Sequence, residues 1–84
     1  MRVASHFTGT VEANSTRRWF APSWPRDWNV VWTVVPTAPI AAAPQIEWTV
    51  EVQNLSEQHV QYWITVRNLT AERVTVEARY AVVN

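Results

Sequence analysis

The sequence predicts an all-β fold, a small antiparallel β-sandwich or barrel of about six strands with no helix. Three observations lead there. Apolar and polar residues alternate with period 2 through most of the chain, most strictly in its C-terminal half. The alternating runs are rich in Val, Ile, Thr, Trp and Tyr, the residues that suit a pleated, half-buried surface. Between Pro36 and Pro44, Pro36, Pro39 and Pro44 forbid a strand ladder and discourage a helix, which leaves strands as the regular elements on both sides.

From the N-terminus, Phe7, Gly9, Val11 and Ala13 alternate with His6, Thr8, Thr10 and Glu12, a first strand. Arg17 to Phe20 is a short piece suited to a sheet edge, and Ala21 to Trp28 reads as a turn holding Pro22 and Pro25 between aromatics. Trp28 to Val35 is apolar on both faces, so it is expected to be covered on both sides or to sit at a subunit contact. Residues Pro36 to Pro44 are expected to run as extended, polyproline-like chain crossing between sheets. Three strands follow, with Ile46, Trp48, Val50 and Val52, then Val60, Tyr62, Ile64 and Val66, then Val74, Val76, Ala78, Tyr80 and Val82 on their apolar faces. The two connections between them are near copies, Val52-Gln53-Asn54-Leu55-Ser56 to Val60 and Val66-Arg67-Asn68-Leu69-Thr70 to Val74. Asn and Ser/Thr turn a chain through side-chain-to-backbone bonds without glycine. Equal loops imply equal registers, Val52 opposite Val60 and Val66 opposite Val74, and hence a C-terminal three-stranded meander with Leu55 and Leu69 capping an end of the core.

Composition limits function. The 84 residues make one domain, 1–84, of a size whose lone core supplies no more than roughly 3–5 kcal/mol. With no cysteine there is no disulfide and no thiolate metal site, so assembly into a homo-oligomer is the expected staple. Seven arginines balance seven acidic residues, without a lysine, which argues against nucleic acid and against anionic membrane surfaces. No stretch reaches the ~18 apolar residues of a membrane span, and Met1 to His6 holds no signal-peptide core; an exported origin stays compatible with the chain. The lysine-free, Ala/Val/Arg-leaning composition has a bacterial character.

Catalysis has little to draw on. The histidines are His6 and His59 and the aspartate is Asp27; none stands in a nucleophile-elbow or metal-ligand spacing with Ser5, Ser15, Ser23 or Ser56. A non-enzymatic protein without metal or cofactor is expected, with His6 solvated on an outer face and His59 at a strand start. Asn14, Asn54 and Asn68 each open an Asn-x-Ser/Thr triplet, for which turn chemistry is the expected role ahead of glycosylation.

Trp63 is the informative residue. It falls on the polar face of its strand with His59, Gln61, Thr65 and Arg67, and the expected register puts Thr49 on one side of it and Glu77 on the other, with Glu51, Gln61 and Arg79 close by. An aromatic plate ringed by carboxylate, amide and guanidinium groups suits a sugar, whose C–H face stacks while its hydroxyls are hydrogen-bonded. Coverage of the same face by the N-terminal strands or by a neighbouring subunit is the reading favoured over ligand binding, since Trp and Arg also mark subunit contacts. A second group, Trp19, Phe20, Trp24 and Trp28, brings Trp24, Arg26 and Asp27 into one loop region, either as a binding surface or as a plug for the end of the core. The run from Trp63 to Thr70 and on from Val74 to Tyr80 resembles the general pattern of small bacterial β-sandwich modules used in adhesion, carbohydrate binding or assembly, a resemblance that carries no site residues. Two functions are therefore expected: a lectin-like module binding carbohydrate through exposed aromatics, or an assembly module whose Trp-rich faces are subunit contacts.

Overall fold

The alternation is realised as six strands, which a computed structural model describes over residues 2–38 and 43–84. They are β1 (Arg2–Val11), β2 (Thr16–Pro25), β3 (Val30–Pro36), β4 (Ile46–Asn54), β5 (His59–Asn68) and β6 (Val74–Val82). Among the described residues there is no helix. The strands form two antiparallel three-stranded sheets, ordered β1-β6-β3 and β2-β5-β4, that face each other as an open sandwich without barrel closure. Val11, Trp32, Val34, Val76 and Ala78 of the first sheet meet Ala21, Trp24, Tyr62, Ile64 and Val66 of the second in one core.

The expected meander does not form. β4 and β5 make a hairpin, but β6 leaves that sheet and becomes the centre of the other, so Val66 and Val74 are not paired. The hairpin register also differs from the expected one. Val52 lies opposite Tyr62, and Asn54 lies opposite Val60, because the ladder runs further into the turn. A shift of two residues keeps every side chain on its face, so the inward and outward sets of β4 and β5 are those the alternation predicts.

The near-copy connections part ways at Asn54 and Asn68. In the hairpin, Ser56 Oγ accepts from His59 N (3.1 Å) and Asn54 stays exposed. In the β5–β6 connection Asn68 is buried, 1% exposed, and acts as a cross-brace. Its Nδ2 donates to the carbonyls of Val11 (3.1 Å), Glu12 (3.2 Å) and Glu72 (2.6 Å), while its Oδ1 accepts from Thr70 N (2.9 Å) and Thr70 Oγ1 (2.8 Å). The β1–β2 and β5–β6 crossings thus lie side by side at one end of the sandwich, tied also by Asn14 N to Thr70 O (2.9 Å). The β3–β4 crossing lies on the other flank, where Leu69 N donates to Gln45 O (2.9 Å). Its central residues 39–42, and with them that part of the polyproline-like expectation, lie outside the described residues. Leu55 and Leu69 do not cap the core; they are 46% and 38% exposed.

The edge strands are shaped by their odd residues. β2 extends the expected Arg17–Phe20 piece to Pro25 through a bulge between Ala21 and Trp24, where Pro22 and Ser23 (φ 60°) fall out of register. Proline is tolerated there because an edge bulge requires no ladder donor. β3 starts two residues later than the alternation suggests and is covered on one side only: Trp32 and Val34 are buried, while Val31 is exposed. On β1, Gly9 gives room to the Trp19 indole, which stacks on Phe7 at 4.8 Å between ring centroids and carries the Arg17 guanidinium at 4.6 Å. A Cβ at Gly9 would stand 2.5 Å from Trp19 Cζ2. Gly9→Ala is therefore expected to cost about 1–3 kcal/mol through displacement of that ring. In a domain this small that is a drop of roughly 4–8 °C in melting temperature per kcal/mol, measured by circular dichroism.

Candidate binding surface

Trp63 lies on the outer face of the β2-β5-β4 sheet, half-buried, at the centre strand where the alternation places it. Its neighbours differ from those expected. Glu51 of β4 is opposite it on one side and Phe20 of β2 on the other. Thr49 pairs instead with Thr65. Glu77 and Arg79 belong to β6 and lie on the outer face of the other sheet, where Arg79 Nε and a Glu77 carboxylate oxygen pair with each other. They take no part in the Trp63 surroundings, because β6 crossed to the opposite sheet.

What the fold does assemble around Trp63 is an aromatic pair inside a bonded polar frame. The Phe20 and Trp63 rings are tilted with centroids 5.4 Å apart, and Phe20 is 55% exposed. The Arg18 guanidinium lies 4.1 Å from the Trp63 ring centroid, a cation–π contact, and Arg18 Nη2 also donates to Glu51 Oε1 at 3.0 Å. Gln53 Oε1 accepts from Trp63 Nε1 (2.6 Å) and from Gln61 Nε2 (3.2 Å), which fixes the indole edge. One step along the sheet, Arg67 Nη1 donates to Glu47 Oε1 at 2.9 Å. The charges on this face are thus taken up in pairs. Of the residues singled out from sequence, Trp63, Glu51 and Gln61 come together here. Arg18 and Gln53 were missed, and Phe20 had been grouped with other aromatics. Arg18 and Phe20 share an outward face by simple alternation along β2, but only the β2–β5 pairing shows which strand they flank.

The second group resolves into a plug. Trp24 is 8% exposed and meets Trp28, Trp32, Tyr62 and Tyr80 edge-on, with centroids 4.9–6.2 Å apart. The indole Nε1 atoms of Trp24 and Trp32 are buried without a hydrogen-bond acceptor. His6 is exposed but not freely solvated: its ring approaches Trp32 at 5.4 Å and Trp24 at 5.8 Å. Partial desolvation of the His6 ring against these aromatics lowers its pKa, and burial of Tyr62 in the core raises that of its hydroxyl. Arg26 is a clasp between loops: its guanidinium donates to Glu57 O (3.0 Å), Asn54 Oδ1 (2.9 Å) and Ser56 O (2.6 Å), holding the β2–β3 connection to the hairpin. Asp27 offers its backbone carbonyl to Asn84 Nδ2 (2.7 Å). Trp24 faces the core, so the three residues do not form one surface.

Among the described residues no group of three or more acidic or histidine side chains is arranged to hold a metal ion, and no helix is long and apolar enough to cross a membrane. A hollow of ≈ 390 Å³ beside Pro44, Leu69 and Ala71 lies at the end where the crossings meet, away from Trp63. Fold and surface together define an open all-β sandwich that presents a framed aromatic pair on one sheet. No protein-family model, curated protein or solved structure matches the chain.

Proposed function

We propose that this chain is a non-enzymatic binding module that recognises carbohydrate on the outer face of the β2-β5-β4 sheet. The observation that carries the reading is the half-exposed Phe20 beside Trp63, two rings on a face otherwise made of amide, carboxylate and guanidinium groups. A pyranose ring stacks its C–H face on Phe20 and the rim of Trp63, and Gln61, Gln53, Glu51 and Arg18 surround it with donors and acceptors. Arg18 covers part of the indole; its exposed side chain is free to move aside as a sugar settles, exchanging one contact with the ring for another. Glu77, Arg79, Trp24, Arg26 and Asp27 have no place in this version of the site.

Titration of intrinsic fluorescence with mono- and oligosaccharides tests it. At about 10 mM, the range of weak single-site binding, at least one sugar is expected to shift or quench the emission. Trp63→Ala and Phe20→Ala are each expected to abolish that response at a stability cost of about 1–2 kcal/mol, because both side chains lie on an outer face. A panel without any response sinks the reading, and so does a response that survives both substitutions.

A second reading, self-association into a homo-oligomer, is favoured by a separate observation. Val52 belongs to the inward-facing set of β4 and is nevertheless 63% exposed, at a sheet edge that no strand of this chain covers among the described residues.

A further inference from the structure

We propose that a second copy of this chain pairs with the β4 edge, strand against antiparallel strand, about a two-fold axis at Val50. This rests on the self-association reading and names its surface. Two three-stranded sheets leave four edges, and they are not alike. β1 and β2, on one side of the sandwich, are both interrupted, by register slips at Ser5/Phe7 and at Ala21/Trp24, and β2 also carries Pro22 and Pro25. Bulges and prolines are the means by which a sheet edge is kept from pairing. On the opposite side, where β3 and β4 approach each other, β3 is short and ends in Pro36, whereas β4 runs from Ile46 to Asn54 without slip or proline.

The side chains of β4 choose the register and the partner. A two-fold axis perpendicular to the sheet keeps outward residues opposite outward ones, so the pairing must centre on a residue. Centred on Thr49 it sets Glu47 against Glu51, and centred on Glu51 it sets that carboxylate against its own copy; like charges directly opposite oppose pairing. Centred on Val50 it sets Glu47 against Gln53, Thr49 against Glu51, and the exposed Val52 against Trp48. That register leaves no like charges facing and covers the exposed valine with an indole. The product is a continuous six-stranded sheet with both Trp63–Phe20 faces on the same side, a bivalent surface that gains avidity for a repeating saccharide.

Sedimentation of the purified chain at micromolar concentration is the test, with two variants. The unmodified chain is expected to be a dimer, Val52→Lys a monomer with unchanged circular dichroism, and Val31→Lys, on the other sheet, still a dimer. Because the chain has no cysteine, Val50→Cys gives a single thiol that is expected to form a covalent dimer with oxidised glutathione, a result independent of whether Val52→Lys folds. A monomeric unmodified chain overturns self-association itself. A dimer that survives Val52→Lys and fails to cross-link through Val50→Cys overturns the β4 edge and leaves self-association standing.

Discussion

Asn68→Ala is expected to lose about 3–5 kcal/mol, enough to unfold most of the population of so small a domain. The side chain is short and contributes little apolar area, so its importance lies in hydrogen bonds. Removing it leaves the carbonyls of Val11, Glu12 and Glu72 without their amide donor and Thr70 without its acceptor, the first of these bonds buried and the others partly so. Each buried group left unpaired costs about 1–3 kcal/mol, moderated where water enters. Asn54→Ala, at the matching position of the near-copy loop, is expected to cost less than about 1 kcal/mol, since Asn54 is exposed and the Arg26 guanidinium that it accepts from keeps its bonds to Glu57 O and Ser56 O. Urea denaturation of the two variants side by side reads the difference directly. Equal midpoints would show that the buried brace at Asn68 has no greater weight than the exposed turn.

Trp24→Ala is expected to cost about 3–5 kcal/mol as well, through a cavity in the middle of the aromatic plug. Trp28, Trp32, Tyr62 and Tyr80 all lean on that indole, and truncation removes their common partner. Trp24→Phe is expected to retain most of the stability, because the lost indole N–H had no conventional acceptor to leave behind. Thermal melting measures both. A Trp24→Ala protein that melts with the parent would return Trp24 to the surface and reopen the loop-borne binding site that its burial closes.

Much of the strand content was legible in the sequence because alternation reports a physical fact local to each strand: one face meets apolar neighbours and the other meets water. Trp63 was placed on the outer face for that reason. The error in hairpin register did not disturb it, since the error was two residues and faces repeat every two. The site around it was less legible. Glu51 and Gln61 lie on β4 and β5, whose hairpin is a local pairing, and they were found; Arg18 and Phe20 reach Trp63 from β2, some 40 residues away in the chain, and were not joined to it. β2 was also harder to see as one strand, because Pro22 and Ser23 break its alternation at the bulge.

The sequence by itself determined that the chain is built of strands, the inward and outward faces of β4, β5 and β6, and the absence of the residues that disulfides or thiolate metal sites require. It did not determine which strands are neighbours. Val52 to Val60 and Val66 to Val74 are nearly the same peptide, yet one closes a hairpin within a sheet and the other crosses to the opposite sheet. The local turn preferences of Asn-Leu-Ser and Asn-Leu-Thr are too alike to separate the two outcomes. What separates them is tertiary: β6 is held between β1 and β3, and the carbonyls of Val11 and Glu12 wait where only a crossing chain brings an asparagine amide. Those partners lie more than 50 positions away in the chain, so burial and long-range hydrogen bonding, not turn propensity, decide where Glu77 and Arg79 go and which residues surround Trp63.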